Sequence, residues 1–252
     1  MRLAKFIAAA IDHSVLTTNS YPLGDIMKKQ FVLQCMALIF QFWAGPTFAT
    51  VLASSTFDAN AEGWQLENDA TTAPNPIYSS SGGHPGGAIE GIDVQTGGVW
   101  RFVAPATYLG NDSAAYGGLL SYDLLFTLDG GVTLNPFVGS YVFIRNAAMN
   151  LTLGYDTSPY PVLGVWNHFE IPLTAPGWDV GGSGGPAATE AQMQAVLSNL
   201  TSLRVRGEFN TGPDLAFLDN VVLSAASAAP EPATLALIGL GLAGLGFSRR
   251  KQ

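Results

Sequence analysis

Hydrophobic and polar residues alternate with a period of two through most of the middle of the chain. In "YGGLLSYDLLFTL" (116–128), Leu120, Tyr122, Leu124, Phe126 and Leu128 fall on one face, and Ser121, Asp123 and Thr127 on the other. "FVGSYVFIR" and "MNLTLGY" alternate as well, the second placing Met149, Leu151, Leu153 and Tyr155 on one side. "WNHFEIPL" turns Phe169, Ile171 and Leu173 inward and His168 and Glu170 outward. "SLRVRGEF" turns Leu203, Val205 and Phe209 inward against Arg204, Arg206 and Glu208. A period of two is the signature of half-buried strands, and glycine, proline and asparagine punctuate these runs. Many short strands separated by turns predict an all-β fold, a sandwich or barrel. One segment breaks the pattern. "TEAQMQAVLSNL" spaces Met193, Val196, Leu197 and Leu200 as a helical stripe. Thr189 and Gln192 stand where a capping box needs them, so one short helix is expected there, packing its stripe on the sandwich.

Two apolar stretches flank this region. "MKKQFVLQCMALIFQFWAGPTFAT" starts at Met27 with Lys28 and Lys29, continues through an apolar run from Phe31 to Trp43, and ends in small residues. That order predicts a secretory signal helix within residues 27–53, cut after either Ala49 or Ala53. Residues 1–26 then precede a signal that normally begins a protein, either because the start is assigned too far upstream or because the charged leader is long. At the other end, Ala233 to Phe247 carry no charge and are followed by Arg249, Arg250 and Lys251. As a helix, that run reaches about 22 Å against a hydrocarbon core of about 30 Å. With flanking residues included, 233–248 is expected as a transmembrane helix, basic end inside and preceding domain outside. Gly239, Gly241 and Gly244 spell G-x-G-x-x-G, but no strand precedes them and no helix with a distant acid follows, so they are membrane-helix composition.

Removing both ends leaves 54–226 as one domain, flanked by the tail 227–252. Residues 54–228 hold sixteen acids against Arg101, Arg145, Arg204 and Arg206, with no lysine, for a formal charge of −12. Such a charge argues against nucleic acid as a partner. The single cysteine, Cys35, lies in the signal stretch behind Gln34, where a lipid-anchor motif needs a small residue. The domain therefore has no disulfide and no thiolate metal site.

"PEPATLALIGLGLAGLGFSRRKQ" (230–252), with Pro230, Glu231 and Pro232 ahead of an apolar helix and Arg249 and Arg250, resembles the PEP-CTERM sorting signal of Gram-negative bacteria. The resemblance implies export, anchoring in the inner membrane, cleavage by an exosortase, and a product at the cell surface or outside it. "WRFVAPATYLGNDSAAYGGLLSYDL", followed later by "ATEAQMQAVLSNLTSLRVRGEF" and "TGPDLAFLDNVVLS", resembles the laminin B module (laminin domain IV) over roughly 57–224. That resemblance implies a jelly-roll β-sandwich similar to galactose-binding-like and carbohydrate-binding modules.

Candidate chemistry is thin. His84, in "SSSGGHPGG", and His168 are the domain's two histidines, far apart in sequence and read as solvated. "GGSGG" (181–185) matches G-x-S-x-G, but no α/β pattern surrounds it, and a flexible glycine loop is the better reading. Related sandwiches carry a structural calcium where their first and last strands meet. Asp58 and Glu62 in "FDANAEGW" and Asp219 in "LDNV" would be its ligands here, since hard cations take several oxygens. Trp178, in the loop "APGWDVGGSGG", and Trp100 are the candidate platforms for a sugar ring. Three readings follow: a non-catalytic structural or adhesive matrix protein, a polysaccharide-binding module, and, least supported, an exported hydrolase. Exposed aromatics on a sheet face would favour the second, and two carboxylates facing each other across a cleft the third.

Overall fold

A computed structural model describes residues 49–67, 70, 73–93, 98–156 and 160–227. In chain order the elements are β1 (Val51–Ser55), β2 (Gln65–Glu67), β3 (Ile77–Gly83), β4 (Gly86–Asp93), β5 (Arg101–Val103), β6 (Leu119–Leu128), β7 (Val142–Asn146), β8 (Leu151–Tyr155), β9 (Trp166–Pro172), β10 (Trp178–Val180), α1 (Glu190–Leu197), β11 (Ser202–Arg206) and β12 (Asp214–Ser224). They build two six-stranded antiparallel sheets. In the first, the order is β3-β4-β12-β6-β9, and β1 lies beside the C-terminal half of β12. In the second, it is β10-β8-β7-β11-β5-β2. The chain passes back and forth between the sheets in a jelly-roll sandwich, the architecture that the resemblance to the laminin B module implies.

The alternating residues meet between the sheets. Leu120, Tyr122, Leu124 and Phe126 of β6 face Ile144 of β7, Leu203 and Val205 of β11, and Phe102 of β5 in one core, all essentially inaccessible. The helix α1 closes one side of this core with Met193, Val196 and Leu197, and Leu200 follows it inward. Its capping box forms as the sequence required: the Thr189 hydroxyl accepts the Gln192 N–H, and the Thr189 N–H reaches the Gln192 side chain at 2.9 Å.

Three expectations change. Met149 does not continue β8; it sits exposed in the turn before it, because Asn150 takes a left-handed conformation (φ 48°) that breaks the strand. Arg206 and Glu208, placed outward by alternation, are buried, Arg206 with 1% exposure. The segment 137–141 folds over that end of β11. Arg206 donates to the carbonyls of Phe137 (3.0 Å), Gly139 (3.2 Å) and Glu208, and lies 4.3 Å from the Phe137 ring. Burial pushes the Arg206 guanidinium pKa down, and the carbonyls and aromatic faces around it take the place of water. Finally, β1 begins at Val51, inside the segment read as signal peptide, with Val51 opposite Ser224 and Ala53 opposite Leu223. The rest of the expected signal helix, residues 1–26 and the transmembrane helix at 233–248 lie outside the described residues. Among the described residues no helix is long and apolar enough to cross a membrane.

Candidate functional site

The outer face of the second sheet collects the domain's positive charge. Leu66, Phe102, Leu203, Val205 and Ile144 point into the core, so their neighbours Glu67, Arg101, Arg204, Phe143 and Arg145 point out. Cross-strand pairing sets Arg204 of β11 opposite Phe143 of β7 and Val103 of β5, and Arg206 opposite Arg101. Arg101 and Arg204 lie over the half-buried Phe143 ring, their guanidinium carbons 4.8 and 5.9 Å from its centre. Both share the Glu67 carboxylate, at 3.6 Å from Arg101 and 3.2 Å from Arg204. Arg145, two residues along β7, donates to Asn150 Oδ1 at 3.1 Å. All four arginines of the domain thus stand on three adjacent strands, β5, β11 and β7.

The glycine segment 181–185 lies against this face rather than swinging free. Gly181 N–H donates to Thr152 O (2.9 Å), and Ser183 N–H donates to Ser140 Oγ (2.8 Å). A side chain at Gly154 would come within 2.7 Å of Gly182 Cα and 2.5 Å of Ser140 Oγ, so glycine is what lets this loop settle beside Phe143.

On the outer face of the first sheet, the structure joins two histidines that lie 84 residues apart in the chain. Register puts Asp219 of β12, Asp123 of β6 and His168 of β9 in one row. His84, at the tip of the β3–β4 hairpin, reaches over that row. The Asp123 carboxylate receives His168 Nδ1 at 2.6 Å, Asn220 Nδ2 at 2.9 Å and His84 Nδ1 at 3.2 Å. The His84 ring also stacks on Trp166, with centroids 5.8 Å apart. Its backbone is held on both sides, N–H to Asp219 Oδ2 at 2.6 Å and carbonyl to Asn220 Nδ2 at 2.6 Å. Burial pushes the Asp123 carboxyl pKa up, but the hydrogen bonds from His168, Asn220 and His84 outweigh it and hold the group below the usual carboxylate range. Asp219 moves the other way: burial raises it, the His84 and Asn220 N–H groups oppose, and the charges of Asp123 and Asp58 add to the rise. Among the described residues, neither imidazole hydrogen-bonds a hydroxyl or thiol. The cluster clasps the hairpin to the sheet. The glycines of "SSSGGHPGG" make this possible, since a Cβ at Gly83 would lie 2.1 Å from Gly87 O and 2.7 Å from Asp219 Oδ2.

The residues singled out from sequence fare differently. Trp178 is 1% exposed: its indole donates to Pro172 O at 2.8 Å, and its rings pack on Tyr155. Trp100 is fully buried against Phe102, its indole N 3.4 Å from Asp214 Oδ1. Neither is a surface platform; both fill the core because a tryptophan carries more apolar area than a short loop can leave wet. Asp219 is buried where β12 bulges and Asn220 turns left-handed (φ 50°), with its two oxygens accepting N–H groups. Asp58 Oδ2 accepts the Thr56 hydroxyl, and Glu62 Oε1 accepts the Phe57 N–H. Among the described residues no three His, Cys, Asp or Glu side chains are grouped to hold a metal ion. The sorting residues Pro230, Glu231, Pro232, Arg249 and Arg250 lie outside the described residues.

Two antiparallel sheets of this topology define a jelly-roll β-sandwich. Residues 101–237 match the family model for laminin B (domain IV), and the chain belongs to that family. Residues 228–251 match the PEP-CTERM protein-sorting motif, which marks an exported, surface-sorted protein. Among solved structures, the L4b domain of human laminin alpha-2 is similar at 16% identity and a TM-score of 0.51, covering 70% of this chain and 98% of that one. The family 11 carbohydrate-binding module of the cellulase Lic26A-Cel5E of Clostridium thermocellum covers 74% of this chain and 100% of its own, at 15% identity and a TM-score of 0.46. The C-terminal family 22 carbohydrate-binding module of Clostridium thermocellum Xyn10B covers 73% and 100%, at 12% identity and a TM-score of 0.41. No curated protein matches the sequence.

Proposed function

We propose that this exported protein is a non-catalytic adhesive component of the extracellular matrix, and that it holds polysaccharide on the outer face of its second sheet. The observation that carries this reading is Phe143, a half-buried apolar ring on an outward position, with the guanidiniums of Arg101 and Arg204 packed over it. A ring of this kind stacks on the C–H face of a sugar, while the flanking donors fix its orientation. The six strands of the sheet span about 24 Å, room for several sugar units side by side. The motif at 228–251 supports a route to the surface: the tail holds the protein in the inner membrane until an exosortase cleaves near Pro230–Pro232.

The test is affinity electrophoresis of the exported protein through gels with and without exopolysaccharide from the producing cells. The reading expects retardation in the loaded gel, reduced at least fivefold in Phe143→Ala and unchanged in Trp166→Ala, which alters the opposite face. Equal mobility in both gels overturns it.

A further inference from the structure

We infer that the ligand of this face is a carboxylate-bearing polysaccharide, a polymer of uronic acid type. The inference rests on the second sheet's outer face being the binding face and names what binds there. Over residues 54–228 acids outnumber bases sixteen to four, so scattering alone would put cations anywhere. All four are instead on β5, β11 and β7. Arg206 is spent on the backbone carbonyls beneath segment 137–141. Arg101, Arg145 and Arg204 remain at the surface, the side chains of Arg101 and Arg204 being 16% and 22% exposed.

Each of these three makes its hydrogen bond within the protein through a single terminal nitrogen: Arg101 Nη1 to Val99 O, Arg204 Nη1 to Glu67, and Arg145 Nη2 to Asn150. Among the described residues the opposite terminal nitrogen of each takes no protein acceptor, and with the Nε of all three buried it is through that outer nitrogen that each guanidinium can donate charge-assisted hydrogen bonds to a carboxylate. Glu67 already shows the geometry at work, one carboxylate shared by Arg101 and Arg204 beside the Phe143 ring. A uronate residue presents both features at once, an apolar ring face for Phe143 and a carboxylate at its edge. Among the described residues the acids on this face are Glu67 itself, the buried Glu208, whose charge also acts on Arg101, and Asp179, which is opposite Gly154 and three strands from Arg204, about 14 Å away. The Asp179 distance exceeds the screening length at physiological salt, so that acid does not cancel the local field. The acidic remainder of the domain disfavours a densely charged phosphate polymer, which would contact much more than three cations' worth of surface.

The experiment runs the exported protein in affinity gels containing polygalacturonate, dextran sulfate, neutral dextran or double-stranded DNA at 50 and 500 mM NaCl. Polygalacturonate is expected to retard the protein at 50 mM and at least tenfold less at 500 mM, with no retardation by neutral dextran or DNA. Arg204→Gln should weaken it at least tenfold; Arg145→Gln, whose side chain is not shared with Glu67, serves if Arg204→Gln does not fold. Glu67→Gln should strengthen binding about threefold, because it frees two guanidiniums, an effect that loss of fold cannot mimic. Equal or stronger retardation by neutral dextran overturns the carboxylate class while leaving the polysaccharide reading standing. Equal retardation by dextran sulfate or DNA reduces the face to charge alone and overturns it too. No retardation by any polymer overturns both.

Discussion

Asp214 offers a sharp test of how this core handles charge. It lies fully buried on β12, opposite Asp93 of β4. Its Oδ2 accepts the N–H groups of Phe209 (2.9 Å) and Asn210 (3.0 Å), and its Oδ1 faces the Trp100 indole. Burial pushes its pKa from 3.8 up to about 7; the hydrogen bonds from Phe209, Asn210 and Trp100 oppose this, and the nearby Asp93 adds to the rise. Because the folded pKa is raised, the folded chain binds the proton more tightly than the unfolded one. The resulting stability is fully present below about pH 4 and is lost as pH rises through about 7. The shift is about three units, worth about 4 kcal/mol at most at 1.36 kcal/mol per unit. Asp214→Asn keeps an oxygen for the two backbone N–H groups and cannot ionise. Urea unfolding of the exported protein at pH 5 and pH 8 should show the wild type losing a few kcal/mol more than Asp214→Asn over that interval. Parallel losses in the two proteins would refute the reasoning, since every other titrating group is common to both.

Other expectations follow from the same contacts. Arg206→Met should cost about 3–5 kcal/mol in urea unfolding, because it strips three carbonyls of their donor, and should open segment 137–141 to hydrogen exchange. Trp178→Ala should lower stability by about 3–5 kcal/mol through the cavity it leaves, with polysaccharide retardation per folded molecule unchanged. Asp123→Ala should speed hydrogen exchange in the β3–β4 hairpin while sparing β7 and β8, because it removes the anchor of both histidines. Mass spectrometry of the exported protein should find Thr50 as its first residue, since a cut after Ala53 would split β1 away from β12.

The sequence carried the strands because burial on one face writes itself as alternation. Leu120, Tyr122, Leu124 and Phe126 could be read directly, and so could the capped helix at Thr189. It misled wherever a loop covers a strand. Arg206 alternates like an exposed residue, and only the return of segment 137–141 buries it. Trp178 sits in a glycine-rich stretch that reads as solvent-exposed, yet the loop folds inward around it. The two candidate sites escaped for a further reason. Asp123, His84 and His168 meet through register across β12, β6 and β9, and the arginine face forms through the order β7-β11-β5. Strand order is set by long-range pairing, which a period-two pattern does not encode. A usable signal was nevertheless present: four arginines in a lysine-free acidic domain, three of them in segments already read as strands.

Hydrogen–deuterium exchange of the exported protein, with and without saturating polygalacturonate, tests the central claim most directly. The account predicts slowed exchange in Arg101–Val103, Val142–Asn146 and Ser202–Arg206, and none at His84 or in Trp166–Pro172. Protection centred on the His84, Asp123 and His168 cluster, or no protection anywhere, would contradict it.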